Sequence, residues 1–149
     1  MPAPSSRIIT VADAFVSELN TKLTDWGIST TATRSYSVQY DLEQLADLHI
    51  DVQTVTLEES LVDRVPTVSN VMGLNVTVQK KVDPSDVAVL DALMNLTIAI
   101  FKNWTHEGSI IGATTVSLVE KAVVIYSPEL LDSGTRYAGF VAFGFEERS

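Results

Sequence analysis

Few side chains in this sequence have the means to do chemistry. There are two histidines and no cysteine, so thiolate nucleophiles, disulfides and thiolate metal sites are excluded. His49 stands between Asp47 and Asp51. Residues two apart on a strand share a face, so the histidine with an aspartate at i±2 begins a metal edge. No third ligand follows at a useful spacing, and a surface or internally satisfied histidine accounts for the pattern as well. His106-Glu107-Gly108 lacks the second histidine of a zinc-binding helix. Gly108-Ser109-Ile110-Ile111-Gly112 has no lysine and follows no strand, so it is not a phosphate loop, and no Gly-x-Ser-x-Gly elbow occurs. The pairs Glu58-Glu59 and Glu146-Glu147 read as solvated charge, because acids are everywhere in a chain with 19 acidic and 10 basic residues. Catalysis has no nominee. The expectation is a protein that is not an enzyme and uses neither metal nor cofactor.

The residues left with a purpose to find are cationic or aromatic. Arg34, Arg64 and Arg136 carry guanidinium forks that fit carboxylates, within one chain or between subunits. Trp26 and Trp104 each follow an apolar helical stripe, as core lids or contact anchors, with lids the preferred reading. The formal net charge is −9, and Lys80-Lys81 is the only adjacent basic pair. A grip on phosphate backbones is therefore not expected. An acidic wall suits a pore through which DNA slides.

These residues belong to one globular domain of 149 residues, 46% apolar and 19% charged. Residues 1–8 read as a flexible Pro- and Ser-rich arm without a secretion pattern. The most apolar stretch, Val87 to Phe101, is too short to span a bilayer and contains Asp91 and Asn95. A soluble, unsecreted protein is expected, so Asn75, Asn95 and Asn103 in their N-x-T triplets carry no glycosylation meaning.

Thr10 looks like a helix cap ahead of the stripe Val11, Phe15, Leu19 and Leu23. Thr30 to Val38 favours a strand, and Asp41 to Leu45 a single helical turn. Leu48, Ile50 and Val52 alternate; Val55 and Leu57 then continue in the opposite parity, which predicts a bulge near Gln53-Thr54. Glu58 to Ser69 is polar, contains Pro66 and reads as a long interaction loop. Leu74, Val76 and Val78 alternate in a strand ending near Val82. Asp83-Pro84-Ser85-Asp86 reads as a helix start capped by Asp83, with the helix running to about Asn103. After a loop from Thr105 to Thr114 come a strand from Val116 to Tyr126, a turn at Ser127 to Leu131 and a final strand from Arg136 to Phe145. The predicted class is α+β: a mostly antiparallel sheet with two main helices packed on one side, in the order α-β-β-β-α-β-β.

The second helix is apolar nearly all round, with Leu90, Met94, Ile98 and Phe101 on one face and Val89, Leu93, Leu96 and Ile100 on another. Such a helix is buried nearly all round, by the first helix or by a neighbouring subunit. The candidates for core or subunit interface are thus Leu93, Ile98, Phe101, Trp104, Arg34, Arg64 and Arg136.

This layout resembles the tail-terminator proteins of long-tailed bacteriophages and prophages from about residue 8 to 147. The resemblance rests on an amphipathic opening helix, then "TRSYSVQYDLEQLADLHIDV", "LNVTVQKKV", "DPSDVAVLDALMNLTIAIFKNW" and "AVVIYSPELLDSGTRYAGFVAFGFEER" in that order. It implies a structural virion protein assembled in the host cytoplasm. Its copies would form a homo-hexameric ring at the head-proximal end of the tail. The ring's partners would be the tail-tube protein and the head-tail connector, and DNA would pass through it unbound. No catalytic residue is implied. Another neck, head-completion or tube component, or a small-molecule-binding α+β domain, is the alternative.

Overall fold

The computed structural model describes residues 4, 6–62, 67–105, 110–111 and 114–148. Its elements are α1 (Arg7–Asp25), β1 (Ala32–Arg34), a 3-10 turn (Gln44–Ala46), β2 (His49–Val62), β3 (Thr67–Lys81), α2 (Val87–Asn103), β4 (Ile110–Ile111), β5 (Thr114–Thr115), β6 (Ser117–Val124), α3 (Pro128–Gly134) and β7 (Arg136–Arg148). The fold is α+β. Five strands form one sheet in the order β1-β2-β3-β7-β6, and β4 and β5 form a separate small ribbon. Only the β1–β2 pairing is parallel; the rest of the large sheet is antiparallel.

Period-two alternation decides which face of the sheet is buried. Met72, Leu74, Val76 and Val78 of β3 pair in register with Phe145, Phe143, Val141 and Gly139 of β7. All are buried, together with Ile50 and Val52 of β2. The apolar stripe of α1 and the inner side of α2 close over this face. The stripe Val11, Phe15, Leu19 and Leu23 is buried as its spacing requires. The helix begins at Arg7 rather than after Thr10, because Ile8 extends the stripe one turn further and packs against the core. Residues 7 and 8 thus belong to the helix and not to the N-terminal arm.

The predicted bulge is present as a register shift between Thr54 and Thr56. Three expectations are corrected. The segment from Glu58 to Ser69 is not a long loop: β2 runs to Val62 and β3 begins at Thr67, with Ser60 opposite Ser69. Pro66 lies outside the described residues. Asp83 does not cap α2. Its carboxylate accepts from the backbone and hydroxyl of Ser85, closing a turn around Pro84, and Asp86 is the cap. The strand expected from Thr30 to Val38 is only Ala32–Arg34, because the chain then leaves the sheet plane and crosses its back.

Gly139 sets how closely α2 approaches the sheet. A Cβ there would stand 2.7 Å from Thr97 Oγ1 and 2.9 Å from the Ile125 carbonyl. Glycine leaves room for a buried knot in which Thr97 Oγ1 donates to Leu93 O and lies 2.8 Å from Tyr137 Oη. Tyr137 Oη in turn donates to Ile125 O. Burial pushes the Tyr137 hydroxyl up from its usual pKa.

Candidate assembly surface

Among the described residues the back of the sheet carries no α-helix. At one end it is crossed by the segment from Ser35 to Ala46, held by polar side chains that rise from the strands. Asp51 of β2 is buried, and its two carboxylate oxygens accept from Ser35 Oγ and Tyr40 Oη, each at 2.8 Å. Gln53 and Gln79 donate to the carbonyls of Tyr36 and Val38. Lys80 donates to Ala46 O and Arg136 to Tyr40 O. Tyr40 stacks on His49, with ring centroids 4.3 Å apart. His49 Nε2 meets Gln44 O at 2.7 Å, so that nitrogen carries the ring hydrogen. Desolvation first, and then the bond to Asp51, push the Tyr40 hydroxyl up to about 12. The His49–Asp51 pair of the sequence therefore serves a clamp, whose parts are committed to one another. Asp47 is exposed, and among the described residues no three His, Asp or Glu converge on a metal-sized point.

The residues nominated from sequence divide. Leu93 and Trp104 are core: Leu93 faces the sheet, and Trp104 stacks on Phe15 at 4.2 Å and meets the edge of Phe143. Ile98 and Phe101 are half-buried. Phe101 lies above β6, where Lys121 Nζ stands 4.4 Å from its ring centroid and donates to the carbonyls of Phe101 and Trp104. That lysine caps the C-terminus of α2. Arg34 is spent within the chain, paired with Asp13 at 2.8 Å and bonded to Tyr36 Oη, and Arg136 is spent on the crossing segment. Arg64 and His106 lie outside the described residues. Sequence reading missed the fork of Arg7 on Glu147, which ties the start of α1 to the end of β7 across 140 positions.

The all-round apolarity of α2 now has a plain account. Leu93, Leu96, Thr97 and Ile100 are buried, whereas Ala88, Asp91, Ala92 and Asn95 face outward. The second expected face, Leu90, Met94, Ile98 and Phe101, is half-buried. The first helix meets the end of α2 at the Phe15–Trp104 stack. Trp26, expected as a core lid, is instead exposed beyond the end of α1, and with Ile28 it borders a shallow groove lined by Ala92, Asn95, Leu96 and Ala99.

No protein-family model matches this chain, and no curated protein matches it in sequence.

Two concavities bear on ligand binding. One of about 200 Å³ lies between α2, α3 and β7 and is lined by Val87, Leu90, Met94, Tyr126 and Tyr137. It is below the usual size of a small-molecule site, and the Tyr137 hydroxyl is already committed. The other, about 600 Å³ and polar, is an open depression at the crossing segment, where Arg136 and Gln44 already bond to neighbouring backbone.

The sheet's long edges are the more telling feature. β1 lies beside β2 only at Ile50, Asp51 and Val52. Beyond the bulge, Val55, Leu57 and Leu61 are exposed, and the outer edge of β2 has no strand beside it among the described residues. At the opposite edge, Val119 and Val124 of β6 are exposed too. Among the described residues no helix is long and apolar enough to cross a membrane.

Proposed function

We propose that this chain is the structural subunit of a ring that terminates the tail tube of a long-tailed phage. In this reading the ring stops tube polymerisation and offers the surface that joins the head connector. The observation that carries it is a single large sheet with, among the described residues, α-helices on one face only and apolar residues exposed on both long edges. Proteins that stay monomeric usually blunt such edges, so edges left open belong to a self-assembling subunit. The sequence layout described above points the same way, as does the net charge of −9, which disfavours DNA sticking in a channel.

Light scattering with negative-stain imaging tests the reading. Annular particles of about 97 kDa, six times 16.2 kDa, are the expected result. Open filaments of the purified chain would instead identify a tube component. A strict monomer that leaves the ends of purified tail tubes uncapped would remove the terminator reading altogether.

A further inference from the structure

We infer that neighbouring copies join edge to edge, the outer half of β2 in one copy pairing antiparallel with β6 of the next. This inference rests on the assembly reading above and names the contact within it.

The sense of the strands supplies the first argument. β2 runs against β3, β3 against β7, and β7 against β6. The two edges therefore run in opposite directions. A second copy set beside the first, turned about an axis roughly along the strands, presents β6 antiparallel to β2. Such a contact is heterologous, and heterologous contacts close into rings when the rotation allows.

The second argument is the state of the edges. Leu57 and Leu61 are 58% and 75% exposed. No lysine or proline stands between Val55 and Val62, where Glu58 and Glu59 are the only charges. On β6 the single lysine is turned inward onto the end of α2. Val124, 54% exposed, stands near the end of that strand. Neither edge carries an outward lysine; what each does carry is one register shift, between Thr54 and Thr56 on β2 and between Leu118 and Glu120 on β6, so pairing is proposed for the regular stretches beyond these.

The third argument is which faces meet. Leu57 pairs with Met72, a core residue, so Leu57 and Leu61 point to the helix side of the sheet. On that side β6 presents Val123, whose partner Val141 is buried, and above β6 lies the half-buried Phe101. Across the sheet Leu57 is level with Leu118, and Val123 with Val52. With the strands tilted to the axis and the next copy offset by about four ladder positions, a continuous sheet lays Leu57 of one copy against Val123, beside the Phe101 flank, of the next. Cross-strand neighbours on one face are the stabilising unit of such a ladder.

The chain has no cysteine, so introduced thiols report this contact alone. L57C protein is mixed with V123C protein, on the same face, and with V124C protein, on the opposite face, then oxidised. The expected result is mixed dimers with V123C only. A double variant carrying both L57C and V123C should give a covalent ladder up to the full ring. In parallel, Leu57→Lys with Leu61→Lys should abolish the oligomer and leave the melting temperature of the monomer unchanged, since both side chains are solvent-exposed. Intact oligomers with no cross-link between β2 and β6, or with only L57C–L57C or V123C–V123C pairs, would overturn the edge contact and leave the assembly reading standing. A monomer under every condition, tube tips included, would overturn both.

Discussion

Tyr40 donates its hydroxyl to the carboxylate of Asp51 at 2.8 Å, and that carboxylate is held in a residue only 3% exposed. The pair fixes the path of the crossing segment over the back of the sheet. Removing the donor leaves a buried charge with Ser35 as its remaining hydroxyl partner. Tyr40→Phe should cost about 1–3 kcal/mol, read as a lower urea midpoint with an unchanged slope.

The same pair sets a pH dependence. The folded Tyr40 hydroxyl is pushed up to about 12, whereas an unfolded tyrosine titrates near about 10. The folded state therefore holds this proton more tightly, and its contribution is complete below about pH 10 and lost as pH rises through the folded value. Urea midpoints at about pH 9 and about pH 11 should fall further apart in the wild type than in Tyr40→Phe. Equal falls would dismiss the linkage.

Trp104 joins the two main helices to the sheet through Phe15 and Phe143. Trp104→Ala should destabilise by about 3–5 kcal/mol, as for other buried aromatics. Phe101→Ala, at a half-buried site beside Lys121, should cost roughly half that or less. Because Phe101 also flanks the proposed contact, it should weaken the oligomer more than its effect on melting accounts for.

Gly139→Ala places a methyl group against the backbone of Ile125 and the hydroxyl of Thr97. Neither yields without moving α2 or the strand, so a loss of about 1–3 kcal/mol is expected. Calorimetry on the single variant decides it, and an unchanged melting temperature would mean that the helix rides on the sheet more loosely than the distances state.

Thr135 closes α3 in the left-handed region with φ 49°, a conformation a β-branched residue resists. Thr135→Asn should raise stability by up to about 1 kcal/mol, since asparagine accepts this geometry more readily. A rise in melting temperature is the expected reading.

Much of the fold was legible because buried faces impose a period. The α1 stripe, the alternation of Leu74, Val76 and Val78, and the parity slip beside Thr54 all follow from one side of an element meeting the core. The outer half of β2 was not legible for the same reason. Among the described residues it has no strand on its outer side, and Leu57 and Leu61 lie exposed, so nothing imposes alternation, and its acids read as a loop. Asp51 was visible as an acid beside a histidine. Its partners were not, because Ser35 and Tyr40 reach it only through a crossing that no local pattern announces. In α2 the face of Leu90, Met94, Ile98 and Phe101 is only half-buried, a degree of burial that an apolar pattern does not distinguish from full burial. The Arg7–Glu147 fork joins positions too distant for any local signal.

β7 follows every other strand in the chain, yet it lies between β3 and β6. Until it inserts, β6 has no strand to pair with in the large sheet, and β3 is left without a neighbour on one side. A chain growing from its first residue can form β1, β2 and β3 early, but it gains its β6 border only when the final strand enters. Such distant pairing is a slow step in folding. For the proposed ring this order of events acts as a timer: a half-made subunit has only one of the two borders that the proposed edge contact uses, and so could not be built into a closed circle.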